Sequence, residues 1–112
     1  MDCLFCSIIK KEIPSDIIYE DDQVIAIKDI NPQAPVHFLI IPKKHIKSLN
    51  EIEDTDLELV SHIVKLIPEL ARENKLNEGY RVVNNCGELG GQTVDHIHFH
   101  VLGKRQMLWP PG

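Results

Sequence analysis

Three histidines alternate with apolar residues in the stretch HIHFHVL at 96–102, and this pattern restricts the possible fold more than any other. Strict alternation is the period of a β-strand with one buried face. Residues two apart on a strand point to the same side, so we predict a strand over 95–102 with the three imidazoles in a row. Ile97, Phe99 and Val101 would face a core. Histidine titrates near neutral pH, acts as a nucleophile and binds metals, so this row indicates a site of chemistry.

A glycine-rich loop, NNCGELGGQT at 84–93, directly precedes the histidines. Its glycines permit backbone conformations closed to other residues and let a ligand approach the main chain. Loop N–H groups and the Thr93 hydroxyl beside a row of imidazoles indicate an anion site next to a nucleophile. A metal site and a purely structural strand are the alternatives. Clustered imidazoles contribute little to packing, which argues against the structural interpretation.

The three cysteines are an odd number, which argues against a disulfide framework. The spacing Cys3-x-x-Cys6 suits half of a zinc site or a redox pair, and two inert thiols are the remaining alternative. No strand precedes the pair, as a redox motif would require, so zinc is favoured over redox. Strand residues four apart lie roughly 13 Å from one another, so three histidines in a row can hardly share one ion. One of them with Cys3, Cys6 and another histidine is the more plausible set.

Length and composition limit the class of protein. The 112 residues suit a single domain, 1–112, and the hydrophobic share of 43% with 26% charged residues is ordinary for a globular protein. The net charge of −5 argues against a nucleic-acid partner but allows a small phosphorylated ligand. The apolar runs are too short to span a bilayer, and residues 1–6 lack the features of a signal peptide. We therefore expect no membrane partner and a cytoplasmic location.

Hydrophobic periodicity predicts an α+β domain. Besides 95–102, apolar runs predict strands over 17–19, 24–27, 36–41 and 80–84. A long helix is predicted over 53–75, with Thr55 and Glu58 as a capping box, Leu57 and Val64 among its core residues and Pro68 as a kink or break. A short helical turn is expected within 4–11. These elements suit a five-stranded antiparallel meander with the helix on one face, which leaves the other face open unless a ligand or partner covers it.

Phosphoryl or nucleotidyl transfer is one reaction that this histidine row suits. An imidazole can attack phosphorus and divide a difficult displacement into two easier steps. His98, flanked by histidines on both sides, is the predicted nucleophile, and His100 is placed to contact the leaving group or phosphate. His96 lies closest to the loop, whose Gln92 and Thr93 would supply donors to the phosphate oxygens.

Several segments carry a family resemblance across nearly the whole chain: DINPQAPVH at 29–37, LIIPKKHI at 39–46, GGQTV at 90–94, HIHFHVL at 96–102 and GKRQMLWPPG at 103–112. In these segments the chain closely resembles the histidine triad (HIT) superfamily, specifically its Hint branch of purine nucleoside phosphoramidases. The resemblance implies the α+β HIT fold, with the sheets of two subunits joined in a homodimer. It also implies hydrolysis of the P–N bond of purine nucleoside 5′-phosphoramidates through a nucleotidyl intermediate on His98, with no cofactor required for catalysis.

The same resemblance implies roles for individual residues. Asp29 would hold the ribose hydroxyls, and Ile30 would line the base pocket. The remaining contacts to ribose, phosphate or leaving group would come from Asn85, Gly91, Gln92, Thr93, His98 and His100. His37 would support the triad from the neighbouring strand, and Trp109 would lie near the partner's site.

The resemblance extends to a metal and leaves alternatives open. In family members with Cys-x-x-Cys, the pair is similar to a structural zinc site, which here would comprise Cys3, Cys6, His45 and His96. Zinc binding and a proton-relay role for His96 are rival interpretations. The chain departs from the usual pattern with Thr93 in place of serine and Asp95 in place of an aromatic residue. The alternatives are a dinucleoside polyphosphate hydrolase, or a nucleotide- or zinc-binding interaction protein with incidental turnover.

Overall fold

The computed structural model describes residues 3–112, so Met1 and Asp2 of the expected domain 1–112 lie outside the described residues. Two helices, two 3-10 turns (Leu49–Glu51 and Asp54–Asp56) and five strands follow one another along the chain. The helices are α1 (Leu4–Ile9) and α2 (Leu57–Glu73). The strands are β1 (Ile17–Glu20), β2 (Val24–Lys28), β3 (Val36–Pro42), β4 (Tyr80–Val83) and β5 (Phe99–Gly103). The sheet is antiparallel throughout, which confirms the α+β class with one main helix.

The last two strands of the sheet are exchanged relative to a simple meander. The order is β1-β2-β3-β5-β4, so β5 lies between β3 and β4. Burial explains this order, because Val101 of β5 is completely buried whereas Tyr80 and Val82 of β4 are partly exposed. The more apolar strand takes the position with two neighbours, and β4 forms the edge. The strand that carries His100 therefore lies in the interior of the sheet.

Helix α2 packs on one face of the sheet, where its buried residues Ile63, Leu66, Ile67 and Leu70 meet Val24, Ala26, Phe38, Ile40 and Val101. Within residues 3–112 no helix is both long and apolar enough to cross a membrane.

The helix starts later than the sequence pattern predicts. The expected capping box of Thr55 and Glu58 is wrong, because Glu53 and Asp56 form it instead, two residues earlier, and the 3-10 turn follows. The expectation that Leu57 and Val64 are core residues is also wrong, since both side chains are more than half exposed. Pro68 does not split the helix. Pro68 has no N–H to donate to the carbonyl of Val64, and Val64 lies on the solvent side of α2.

The second face of the sheet is covered at its centre by helix α1. Phe5 and Ile8 of this helix pack against Ile25, Ile27, Leu39 and Ile41. The expectation of an open face is therefore wrong for these strands. Because α1 also carries Cys3 and Cys6, this packing brings the cysteine pair to the same side of the sheet as the histidine motif.

Strand β5 begins at Phe99, so the predicted strand 95–102 is too long at its beginning. Of the three motif histidines only His100 lies on the strand, while His96 and His98 occupy the irregular segment before it. This segment leaves the ladder, and one main-chain hydrogen bond, from the Ile97 N–H to the Ile46 carbonyl at 2.7 Å, holds it together with side-chain contacts.

Candidate active site and thiol-histidine tetrad

His98 is held in one tautomer by the main chain. Its Nδ1 lies 2.8 Å from the carbonyl oxygen of His96, and because a carbonyl only accepts, Nδ1 carries the proton. The lone pair of the neutral ring is then on Nε2. Burial lowers the pKa of His98, an effect that the negative charge of Asp29 partly opposes. At neutral pH the ring is therefore uncharged, as a nucleophile must be.

A second pair of histidines has equally defined proton positions. The Gln33 N–H donates to Nδ1 of His37 (3.1 Å), so the proton of His37 is on Nε2. That Nε2–H donates to Nδ1 of His100 at 2.9 Å and lies 3.4 Å from a carboxylate oxygen of Asp29. Neutral His100 consequently carries its proton on Nε2. Burial, followed by the charges of His98 and His37, lowers the pKa of His100 to about 4.

Gln92 braces the loop that was expected to bind phosphate. Its side-chain oxygen accepts from the Gly87 N–H at 2.8 Å, and its amide nitrogen donates to the carbonyls of Lys47 (2.7 Å) and Val94 (3.0 Å). Its own N–H donates to the Gly87 carbonyl. The donors of Gln92 are thus engaged inside the protein, and its geometry is that of a loop brace.

Two glycines of the loop are required by its shape. A Cβ at Gly90 would overlap the carbonyl of Cys86, and Gly91 adopts a positive φ of 83°. A Cβ added at Gly91 would lie 4.0 Å from Cγ of Asn85. The loop is therefore a tight, preformed turn that ends at Thr93, whose side chain is exposed.

Cys3, Cys6, His45 and His96 converge into what we call the tetrad, in which all four ligand atoms lie within 4.8 Å of one another. The distances from sulfur to Nδ1 are 3.4 and 3.6 Å for Cys3 and 3.3 and 3.6 Å for Cys6, and the two Nδ1 atoms are 3.1 Å apart. A zinc tetrahedron with Zn–S of about 2.3 Å and Zn–N of about 2.05 Å has S–N edges of roughly 3.6 Å and an N–N edge of roughly 3.3 Å. The tetrad therefore fits a tetrahedral ion in both donor type and size.

His96 belongs to the tetrad and has no free nitrogen for catalysis. Its ring is completely buried, with Nδ1 facing the two sulfurs and Nε2 donating to the Pro42 carbonyl at 2.7 Å. Such an outer hydrogen bond is typical of metal-binding histidines. The expectation of a catalytic side chain at His96 does not fit this geometry, whereas its main-chain carbonyl orients His98.

Two residues expected near the substrate are not packed into the cluster of His37, His98 and His100. Ile30 is 96% exposed and Trp109 is 82% exposed. The tail that carries Trp109 lies against the edge strand, where the Arg81 guanidinium donates to the Leu108 carbonyl at 2.8 Å.

Sequence reasoning missed two residues that contact His98. The Phe5 ring meets the His98 ring edge-on, with centroids 4.8 Å apart, and Asn84 donates through Nδ2 to the His98 carbonyl at 3.0 Å. A signal existed for Phe5, because it lies between two cysteines already expected to reach His96. Nothing in the sequence distinguished Asn84 from its neighbour Asn85.

Comparisons with known proteins agree with this fold. Residues 2–109 match the family model described as the scavenger mRNA decapping enzyme C-terminal binding region. A HIT-like protein of Synechococcus elongatus is 49% identical over 111 residues, which cover 99% of this chain and 97% of the relative. The crystal structure of a HIT family hydrolase from Legionella pneumophila is 51% identical with a TM-score of 0.97, covering 99% of this chain and 100% of that one. A histidine triad protein from Clostridium difficile is 50% identical with a TM-score of 0.91, covering 97% and 96%.

The fold and the paired histidines define a HIT-type domain of the kind found in hydrolases. The chain belongs to the histidine triad superfamily, as the resemblance of its motifs predicts.

Proposed function

We propose that the protein is a phosphoramidase of the Hint type, which hydrolyses the P–N bond of purine nucleoside 5′-phosphoramidates such as AMP-amines. The observation that carries the proposal is the fixed tautomer of His98, whose Nδ1–H is bound to the His96 carbonyl. This arrangement leaves the Nε2 lone pair for attack on phosphorus. The relation to HIT family hydrolases supports the same chemistry.

The reaction proceeds in two displacements. Nε2 of His98 attacks phosphorus, the P–N bond breaks, and the amine leaves with a proton taken from solvent, while the Nε2–H of neutral His100 donates a hydrogen bond to the phosphate. The hydrogen bond from His37 to Nδ1 of His100 keeps that proton on the outer nitrogen. Water then attacks the phosphorus of the nucleotidyl-His98 adduct, the bond from phosphorus to Nε2 breaks, and the proton that the water loses passes to solvent. The products are the nucleoside monophosphate and the free amine, and no cofactor takes part.

Ligand roles follow from the same proposal. Asp29 binds the ribose hydroxyls, Ile30 contacts the base, and Asn85, Gly91 and Thr93 contact ribose and phosphate. A groove of about 540 Å³ adjoins Thr93 and includes Lys47 and Asp95 in its walls. This volume lies within the range of small-molecule pockets, although neither His98 nor His100 lines the groove.

We further propose that the tetrad holds a structural zinc ion. Its sulfur and nitrogen donors are those that structural zinc prefers, and its edges fit a tetrahedron. When bound, the ion would tie α1 to the segment that precedes the nucleophile. The ion supplies structure, since the four protein ligands leave no open position for a substrate.

A homodimer is the third part of the proposal. Edge strand β4 exposes Val82, and helix α2 exposes Val64. An edge strand that exposes apolar side chains is a surface that proteins normally pair or protect. Val82→Lys is expected to convert a dimer into a monomer, measured by light scattering after gel filtration, and an unchanged mass would argue against β4 as the interface.

Hydrolysis of a fluorogenic adenosine 5′-phosphoramidate by the wild type and by His98→Ala tests the activity. The variant is expected to lose more than about 1,000-fold in kcat and to form no adduct in acid-quenched samples, while AMP binding by calorimetry survives. His62→Ala is the matched control. His62 lies on helix α2, and its Nε2 is 2.6 Å from a carboxylate oxygen of Asp21. A wild type that binds AMP without turnover would refute the enzyme proposal and favour a nucleotide-binding protein.

Competition separates the proposed substrate from the main alternative. The description of the matched family model names a scavenger mRNA decapping enzyme. That name suggests cleavage of a P–O–P bond rather than a P–N bond. Diadenosine polyphosphate and the phosphoramidate compete for the same His98, so the ratio of their kcat/KM values decides between them. A higher value for the polyphosphate would reject the phosphoramidase assignment.

A further inference from the structure

Asn84 lies where the main-chain ladder between β4 and β5 stops. The last pair of that ladder joins Val83 to His100. One residue further along β4, Nδ2 of Asn84 donates to the carbonyl oxygen of His98 at 3.0 Å. The side-chain amide thus provides a hydrogen bond to the nucleophile's main chain at the point where strand pairing no longer does.

The other end of the same side chain has no partner. Oδ1 of Asn84 is buried, and among the side-chain nitrogen and oxygen atoms of residues 3–112 it alone is both buried and without a hydrogen bond. A buried acceptor without a partner destabilises the folded state. An apolar residue of similar size would remove this acceptor and leave the His98 carbonyl without its donor instead, so fold stability alone does not favour an asparagine here.

We propose that Asn84 is a positioning residue for the nucleophile. His98 is fixed through its ring by the His96 carbonyl and through its own carbonyl by Asn84. Because β5 starts only at Phe99, the main-chain ladder does not fix His98. A displacement of about 1 Å at a reacting atom costs on the order of 100-fold in rate, so a single bond to this segment affects the chemistry. The inference rests on the proposed nucleophilic role of His98.

Asn84→Val tests the inference because it removes the donor and the unpartnered acceptor together. We expect kcat for the phosphoramidate to fall about 10- to 100-fold with KM within about twofold. Adduct formation in single turnovers should slow in proportion. The melting temperature should stay within about 2 °C of the wild type, because one unsatisfied group replaces another. Asn84→Asp, which keeps the shape but loses the donor, should lose kcat to a similar degree.

Asn77→Val is the matched control, since Asn77 is exposed on the turn before β4. It should leave kcat, KM and melting temperature unchanged. Two results would overturn the inference: a kcat that survives in Asn84→Val, or a loss of kcat that accompanies an equal loss of stability in both Asn84 variants.

A direct readout distinguishes failure of this inference from failure of the proposed function. The Nδ1 proton of His98, bound to the His96 carbonyl, should give an NMR signal in the wild type, and Asn84→Val should broaden it through faster exchange. If the wild type shows no turnover, the proposed function fails while this measurement still tests the positioning role. An unchanged Nδ1 proton in Asn84→Val would then refute it.

Discussion

Removing zinc from the tetrad should lower the stability of the whole domain. A ligand that binds only the folded state stabilises it by about 2.7 kcal/mol when its free concentration is 100 times the dissociation constant. For a domain of this size about 1 kcal/mol shifts the melting temperature by roughly 4 °C, so chelation is expected to lower it by about 10 °C. Zinc binding to cysteines of the unfolded chain would reduce this value.

The Cys6→Ser variant isolates the contribution of the site. Cys6 Sγ lies 3.3 Å from Nδ1 of His45, a distance that zinc would bridge, and serine removes the thiolate. Protein purified without an affinity tag and equilibrated with zinc should hold close to one ion per chain, and the variant should hold less than about 0.1. Cys86→Ser is the matched control, because Cys86 is a free cysteine outside the tetrad.

Both measurements have clear negative outcomes. Wild-type protein with less than about 0.1 zinc per chain after equilibration would refute the site. A melting temperature unaffected by chelator would show that zinc does not support the fold. A loss of zinc in Cys86→Ser equal to that in Cys6→Ser would assign the metal to other residues.

Two further predictions follow from packing and from charge. Gly103→Ala should destabilise the domain by about 1–3 kcal/mol in urea unfolding, because its Cβ would lie 2.5 Å from a methyl group of buried Leu76. A double variant with Leu76→Val should recover part of this loss. No loss of stability in the single variant would contradict the packing argument. The pKa of His100 is about 4 in the folded state, against 6.5 ordinarily, so between these pH values the unfolded state binds more protons than the folded state. The folded state therefore loses at most about 3 kcal/mol of stability through His100 as pH falls from 6.5 to 4. Urea unfolding at pH 7 and pH 4.5 should show a smaller acid loss in His100→Asn than in the wild type, and equal losses would refute this assignment.

The sequence predicted the elements better than their boundaries. Alternation and helical spacing located all five strands and the long helix, because those periods come directly from burial on one face. The start of α2 was misplaced, since Asp56 accepts from the Glu53 N–H and forms an ion pair with Lys44, a residue distant in sequence. Local pattern cannot distinguish two overlapping capping sequences when a tertiary contact decides between them.

The candidate site was likewise predicted only in part. The motif indicated His98 and His100 from residue type and spacing alone. Their proton positions could not be predicted, because these depend on the Gln33 N–H and the His96 carbonyl, which are main-chain groups. Main-chain groups are present at every position, so a sequence gives no indication of which of them will meet a side chain.

Residue 96 serves the tetrad with its side chain and orients His98 with its main chain, so these two features can be inherited separately. The imidazole of His96 belongs to the tetrad, whereas its carbonyl, a group that every amino acid possesses, orients His98, the nucleophile that we propose. A lineage that lost both cysteines and replaced the histidine would still present that carbonyl, provided the backbone kept its path. With the roles that we propose for the tetrad and for His98, zinc can therefore be gained or lost without a change in the reaction.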